Sequence, residues 1–361
     1  MKTSFYVQFK TVSKLQQLVG AKKLVIAEGN KKGNVAITRT EPVLVPNAED
    51  ESYRMVIIPT LSGESFAGRL RRELASHLFD TLGIDIIETY AKSNSELKKT
   101  TFHAITSGGA LYKESELVGV TSDEDAGEEK GKKKKGGRDK TQVTTLELQT
   151  AISKYFPMLS LLGGNIAQGM IQGKLAIGNA VPMLDSLVGV VFDKELTEQY
   201  EFINAIPSEL YVNDGENLHK SYRSPDFYES IKPIFADPKK NDDEGSDEEE
   251  GKGNPFRNMP TNSGYVLPGV PFLQKYDVYD NVTEVELGAL GLALKRMATH
   301  PILGGKAKYG FGRVKFNMPD LDEFPIETYE NFITKNKDDI YEILTSDQGM
   351  FRAVVAKVKG A

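Results

Sequence analysis

The chain has 361 residues, which at roughly 150 residues per domain suits one large domain or two ordinary ones. Its 39% of hydrophobic residues can build a sizeable core, no apolar run reaches the roughly 18 residues of a membrane span, and the absence of cysteine excludes disulfides and thiolate zinc sites. The formal net charge of −6 does not decide the partner, because residues 237–252 hold eight acids and three bases and leave the rest of the chain nearly neutral.

The N-terminal part of the chain predicts strands and then a helix. Residues 3–10 alternate apolar and polar side chains, 33–46 form a second strand region, and 53–59 form a third, short one. The next stretch, LSGESFAGRLRRELASHLFD at 61–80, predicts an amphipathic helix. Its core-facing stripe is Phe66, Leu70, Leu74 and Leu78.

Three arginines distinguish this helix. At about 100° per residue, Arg69 and Arg72 fall opposite the apolar stripe, and Arg71 falls at its edge, where its guanidinium can reach a fixed place. Ser62 or Ser65 is the expected N-cap, and the free N–H groups of the first turn suit a phosphate. An ordinary capped helix with surface arginines explains the same pattern.

The later elements alternate between helices, strands and glycine-rich turns. Residues 144–164 predict a helix that Pro157 kinks or breaks and that ends at Gly163 and Gly164. The remaining expected elements are strands at 173–182 and 186–193, a helix at 286–300 with Pro301 just past its end, a strand entered through a glycine-rich loop at 304–316, and one or two helices in the tail, 324–361.

We interpret the chain as a single domain, 1–361, with an α+β fold. A ferredoxin-like core with long insertions fits the order of the elements, although periodicity alone does not exclude another α+β sheet fold. Two stretches, 121–141 and 237–254, are charged and lack apolar residues, so we expect exposed, mobile insertions. The basic half of the first one suits nucleic acid, but adjoining blocks of opposite charge favour a self-neutralising loop.

The stretch LGGKAKYGFGRVKF interleaves glycines with basic and aromatic residues. Lys306, Lys308 and Arg313 supply positive charge, and Tyr309 and Phe311 offer rings that could stack on bases. This combination is typical of single-stranded nucleic-acid binding. A tight turn before a half-buried strand explains the pattern equally well.

Other chemical signals are weak. Glycines at 161–182 lead to Lys174 on an expected strand. The four histidines have no metal-ligand spacing, and GxSxG, P-loop and kinase patterns are absent. We therefore predict no metal, no cofactor and no catalytic set.

Three motifs together carry a family resemblance. In chain order they are SGESFAGRLR at 62–71, LLGG followed by GKLAIGNA, and GGKAKYGFGRV. This order resembles the RAMP superfamily of CRISPR-associated proteins, in particular the backbone subunit that coats the guide RNA, and it is most similar to type IV systems. In the first motif Ser65, Gly68, Leu70 and Arg71 match the family pattern.

Two departures affect the residues that the family uses. Ala67 stands where the family usually has a lysine, and basic charge is found instead at Arg69. Asn179 stands where the family often has an aspartate.

The resemblance implies a ferredoxin-like (RRM-like) palm that binds the crRNA guide and a β-hairpin thumb, which we place within 180–195. Copies of the chain would polymerise along the guide in a helical filament, next to other CRISPR effector subunits, in prokaryotic antiviral or anti-plasmid defence. Target DNA or RNA would be recognised through guide pairing. We expect a cytoplasmic protein with no membrane partner.

The family motifs and the basic residues after the first strand define the expected RNA-binding set. Its members are Lys14, Lys22, Lys23, Ser65, Arg69, Arg71, Arg72, Lys174, Lys306, Lys308, Tyr309 and Arg313.

Type III backbone subunits cut target RNA with an aspartate in the loop after the first strand. Here that loop, approximately 11–33, has no aspartate, and Glu28 is its only acid. We therefore predict a scaffold and not an enzyme. The alternatives are a type III-like, metal-dependent target-RNA endonuclease and an α+β enzyme that binds a small phosphate.

Overall fold

The computed structural model describes residues 4–25, 32–47, 50, 52–109, 145–166, 169–212, 215–216, 261–262 and 264–359. The expected charged insertions at 121–141 and 237–254 lie outside the described residues, and so does Glu28.

The strands of the described residues are mostly short. They are β1 (Ser4–Thr11), β2 (Leu18–Val25), β3 (Lys32–Thr38), β4 (Thr40–Pro46), β5 (Tyr53–Pro59), β6 (Gly164–Ile166), β7 (Gly169–Ile171), β8 (Leu175–Ile177), β9 (Val181–Pro182), β10 (Tyr211–Val212), β11 (Gly215–Glu216), β12 (Thr261–Asn262), β13 (Tyr265–Val266), β14 (Pro271–Val278) and β15 (Val314–Asn317).

The helices of the described residues include two long ones, Gly63–Leu82 and Glu284–Thr299, each of which connects strands of one sheet. The helices are α1 (Gly63–Leu82), α2 (Glu96–Ser107), α3 (Thr145–Tyr155), α4 (Pro157–Leu162), α5 (Glu284–Thr299), α6 (Ile326–Lys335), α7 (Lys337–Thr345) and α8 (Met350–Lys359).

The central sheet has the order β15-β1-β14-β8, and β9 also pairs with β14. Every pairing in it is antiparallel. Because β1 and β8 both run against β14, they are parallel to each other, and α1 lies between them in the chain. In the same way α5 joins β14 to β15, which both run against β1. The sheet thus holds two interleaved β-α-β connections, and the α+β class predicted from the sequence is confirmed.

One face of the sheet forms the core with α1. The ring of Phe9 on β1 stacks on Phe272 of β14 at a centroid distance of 5.3 Å and lies 5.6 Å from the ring of Phe66. Phe66 and the other three residues of the predicted α1 stripe are at most 1% exposed. The orientation of α1 predicted from its periodicity is therefore confirmed.

The helix predicted at 144–164 is interrupted where expected. α3 ends at Tyr155, and Pro157 begins α4, because proline has no N–H to continue the first helix. Gly163 follows α4 with φ +72°, which fits the expected glycine stop. The tail contains three helices, one more than expected, since Asn336 separates α6 from α7.

The strand predicted at 186–193, and the thumb hairpin placed within 180–195, are wrong. That segment contains β9, a 3-10 turn at Asp185–Leu187 and a tight turn in which the Gly189 N–H donates to the Phe192 carbonyl at 2.7 Å. Gly189 has φ +80°, a conformation that breaks a strand. Leu187 and Phe192 face the core, so the apolar run packs as a turn.

Hairpins lie instead between β1 and α1. β2 pairs with β3 in the segment predicted as a loop, 11–33, with a bulge between Val19 and Lys22. The prediction of a loop was wrong for residues 18–25. This stretch is rich in aliphatic residues and pairs with β3, which has a similar strand propensity. β4 pairs with β5 in a regular ladder that begins at Thr40 and Pro59.

Candidate nucleic-acid interface

A cleft of about 500 Å³ lies where the first turns of α1 meet the loop that follows α5. Two of the three sequence motifs therefore share one surface. The cleft is lined by residues from three segments that are far apart in the sequence, among them Ser65, Arg69 and Arg72 of α1, residues 302–305 of the loop, and Gln16 and Gln17 after β1.

Backbone contacts fasten the glycine-rich loop to the segment after β1. The N–H of Gly305 donates to the Gln16 carbonyl at 2.8 Å, and the N–H of Gly312 donates to the Lys14 carbonyl at 2.7 Å. Gly304 has φ +74°, and a Cβ at this position would lie 2.2 Å from the Gln16 carbonyl oxygen. Only glycine permits this approach, which places the basic residues of the loop beside Lys14.

Lysines and aromatic rings alternate on this surface. The Nζ of Lys14 lies 4.4 Å from the ring centroid of Tyr265 and 5.8 Å from that of Phe311. The Nζ of Lys306 lies 5.8 Å from the same Phe311 centroid. The Tyr265 and Phe311 rings meet edge to face at 6.1 Å.

The outer end of the loop is exposed. Tyr309 is 67% exposed, and the Nζ of Lys308 lies 4.9 Å from its ring centroid. Arg313 is also exposed, and its backbone N–H donates to the Ser13 hydroxyl at 2.9 Å. An open aromatic ring with adjoining cations is suited to a base and its phosphate.

Side chains occupy the N-terminal donors of α1 that the sequence suggested for phosphate. Gln17 accepts from the Ser62 N–H at 2.8 Å and donates to the Ser65 hydroxyl at 2.7 Å. Asn179 accepts from the Gly63 N–H at 3.0 Å. Ser62 is the N-cap residue, but its hydroxyl makes no capping bond. The N–H groups of Ser62 and Gly63 are therefore already paired, and the Ser65 N–H donates to the Ser62 carbonyl at 3.0 Å, which leaves fewer free donors for a phosphate than the sequence suggested.

Arg69 is held in place by a carboxylate on its own helix. Its Nη2 lies 2.6 Å from Oε1 of Glu73 and donates to the His300 carbonyl at 3.3 Å. Glu73 also bridges to Nε of Arg296 on α5 at 3.4 Å. This network joins α1 to α5 and fixes Arg69 at the wall of the cleft. Arg72, one residue beyond Arg71, is exposed.

The side chain of Arg71 does not line the cleft but contacts the end of α4. It is 6% exposed, and its guanidinium donates to the carbonyls of Leu162 and Gly163, both at 3.0 Å. A Cβ at Gly108 would lie 1.6 Å from its Nη1, so the group fills the space beside that glycine. Burial lowers the pKa of Arg71 from its usual value. The sequence correctly placed this arginine at a fixed position near the core, but its partners are the end of α4 and not the cleft.

Lys174 also has a structural partner. Its Nζ lies 2.8 Å and 3.0 Å from the two carboxylate oxygens of Glu286, whose side chain is 3% exposed. Burial acts to raise the pKa of Glu286, but hydrogen bonds from Lys174, Ser160 and the Thr283 N–H outweigh it and hold the pKa below its usual value. The RNA contact predicted for Lys174 is not favoured by this geometry.

Lys22 and Lys23 belong to β2, and their side chains lie outside the described residues. Sequence reasoning missed Gln17 and Tyr265, because their neighbours in the sequence give no periodic or motif signal. Only the folded chain brings Gln17 to the start of α1 and Tyr265 to the glycine-rich loop.

No cluster of His, Cys, Asp or Glu that could hold a metal ion occurs in the part of the chain that the structure describes. None of the helices in that part combines the length and the apolar character needed to cross a bilayer.

No protein-family model matches the chain, and no curated protein matches it. Solved structures do. A chain of a type IV-B CRISPR complex is similar with a TM-score of 0.41 and 14% identity, over 88% of this chain and 90% of that one. Csc2 of Thermofilum pendens is similar with a TM-score of 0.35 and 11% identity, over 99% of this chain and 90% of that one.

Proposed function

We propose that this chain is a guide-RNA-binding backbone subunit of a CRISPR effector ribonucleoprotein, most similar to type IV. The observation that supports this most strongly is the surface at the cleft. It brings together Arg69 and Arg72 from the helix-opening motif, Lys14 from the segment after β1, and the basic, aromatic loop after α5. These were independent signals in the sequence.

An extended strand suits this surface better than a small phosphate ligand does. The cations do not converge on one enclosed point. Arg72, Lys308 and Arg313 are exposed, and the ring of Tyr309 is open to solvent. Separated cations with an open ring fit several successive nucleotides.

The central sheet serves as the palm in this proposal. The four main strands follow one another along the chain as β1, β8, β14 and β15. Their order across the sheet is β15, β1, β14, β8, which is the order 4-1-3-2 when the four strands are numbered along the chain. This order, with α1 and α5 as the two connections, supports a ferredoxin-like palm.

The proposed subunit is a cytoplasmic scaffold that performs no cleavage. The protein would hold the guide through phosphates and stacking, and base pairing between guide and target DNA or RNA would supply the sequence information. Other effector subunits would supply any nuclease or helicase.

Copies of the chain would associate through the β4–β5 hairpin. Cross-strand pairing puts Leu44 opposite Met55 and Pro46 opposite Tyr53. Leu44, Tyr53 and Met55 are 61%, 68% and 66% exposed, whereas Val45 on the other face is buried. A contiguous exposed apolar face of this kind typically marks a protein interaction surface. We assign it to a second copy of the chain.

The RNA-binding claim is tested by Arg72→Ala and Lys308→Ala, measured with a fluorescent single-stranded RNA at several salt concentrations. If each cation neutralises one phosphate, each variant lowers affinity for all RNA sequences alike and reduces the slope of log K against log salt by about 0.7. Lys335→Ala, on α6 outside the cleft, is the matched control. Unchanged slopes in both cleft variants would contradict the assignment.

A further inference from the structure

Phe311 has an arrangement that neither the family motifs nor the basic residues alone suggest. Two lysine ammonium groups, from Lys14 and Lys306, each lie 5.8 Å from its ring centroid. Both distances fall within the range at which the negative face of an aromatic ring attracts a cation. The two lysines are almost three hundred residues apart in the sequence, so this shared ring is a product of the fold.

The backbone at Lys306 supports a functional reason for the arrangement. Lys306 has φ +58° and is the one non-glycine residue with positive φ in the part of the chain that the structure describes. Such a conformation is unfavourable for a residue with a Cβ, and glycine would adopt it freely. Strained residues of this kind are often found at binding sites. If this loop had only a structural role, a glycine at position 306 would make it more stable than the lysine does.

The negative face of the Phe311 ring attracts each of the two ammonium groups and so holds both lysine side chains at one place on the surface. Tyr265 contributes as well, since its ring lies 4.4 Å from the Lys14 Nζ and packs edge to face against Phe311. The result is a pair of positive charges held on rigid aromatic supports beside the cleft. An anion that reaches both cations gains from each of them.

We propose that Phe311 is a positioning residue that holds Lys14 and Lys306 as a two-lysine clamp for a phosphodiester of the bound strand. That the ligand is a guide RNA rests on the proposed function. That the clamp binds a phosphate anion does not rest on the proposed function, because any phosphate chain could enter the clamp. In the clamp Phe311 touches the lysines and not the nucleic acid.

The test measures binding of two probes, a single-stranded RNA and inorganic polyphosphate, to the full chain. Phe311→Leu keeps an apolar side chain but removes the ring, and it should weaken binding of both probes about two- to five-fold, as expected for losing cation–π contacts at exposed sites. Phe311→Tyr keeps the ring and should restore binding.

Double variants separate positioning from simple packing. The double variant Lys14→Ala/Phe311→Leu should lose less binding free energy than the two single variants together, because both changes remove the same clamp. Lys308→Ala is the matched control, since its ammonium lies over Tyr309, and its effect should add to that of Phe311→Leu. Lys306→Gly should weaken binding without lowering the melting temperature, because glycine relieves the positive φ.

Every outcome decides the proposal. Full binding by Phe311→Leu, or additive effects of Phe311 and Lys14 changes, overturns the clamp while leaving the proposed RNA function intact. If Phe311→Leu does not fold, Tyr265→Leu and Lys306→Gly are measured instead, and unchanged binding by both overturns it. Wild-type protein that binds polyphosphate but not RNA would keep the clamp and overturn the RNA function. A wild-type chain that binds neither overturns both.

Discussion

At the scale of single residues, the arginines of the α1 motif divide into different roles. Arg69 and Arg72 line the cleft, whereas Arg71 donates two hydrogen bonds to the carbonyls that end α4. The last carbonyls of a helix have no partner within it, and a buried guanidinium with two donors satisfies them. Arg71 therefore secures the junction between α1 and α4, on which the motif's geometry depends.

Replacing Arg71 tests this structural role. Arg71→Ala should lower the free energy of unfolding by roughly 3 kcal/mol, since it leaves two buried carbonyls without donors. Arg71→Lys should recover only part of the loss, because a lysine cannot reproduce the fork of two N–H donors. The exposed Arg72→Ala serves as the control and should change stability by less than about 0.5 kcal/mol in urea titrations. A stable Arg71→Ala protein with weakened RNA binding would contradict the structural role.

At the scale of elements, α5 begins with a capping box that also fixes β8. Thr283 and Glu286 exchange hydrogen bonds at the helix start, and Glu286 simultaneously pairs with Lys174, just before β8. One buried carboxylate thus links the helix that leads to the glycine-rich loop with an edge of the central sheet. Its low pKa makes this link dependent on pH.

The pH dependence has a defined sign. Because Glu286 has a lower pKa in the folded chain than in the unfolded one, its contribution is complete above the pKa of an unperturbed glutamate and is lost as the pH falls through the lower pKa of the folded chain. Glu286→Gln keeps the capping-box geometry but has no charge to lose. The stability advantage of the wild type over Glu286→Gln should therefore shrink on acidification in urea titrations. A difference that stays constant between pH 7 and pH 3 would contradict the link.

The sequence predicted the elements with a strong local signal. The α1 stripe, the stop at Gly163 and the break at Pro157 follow from periodicity and backbone chemistry, and the structure confirms them. The turn at 186–193 was missed because an apolar run fits a strand and a buried turn equally well. The partners of Arg71 and Lys174 could not be predicted, since Gly163 and Glu286 reach them only through tertiary packing.

At the scale of the whole molecule, the topology separates two surfaces. The cleft lies where α1 meets the loop after α5, while the β4–β5 hairpin presents its apolar face to solvent. Whereas a standard interface takes about 20–30 residues from each partner, the exposed face of the hairpin carries three cross-strand pairs, Pro42–Ile57, Leu44–Met55 and Pro46–Tyr53. Contacts through it alone would be weak, and copies would be held together mainly by sharing one RNA strand.

Electron micrographs of the protein assembled on guides of two lengths test the central claim most directly. If the chain coats a guide, particles on the longer guide should be proportionally longer, because each copy covers a fixed number of nucleotides. Met55→Glu should shorten the assemblies while leaving the fold intact, and Arg54→Ser, on the opposite face of the same strand, should not. Globular particles of one size on both guides, or protein free of RNA, would contradict the claim that this chain is a guide-coating backbone subunit.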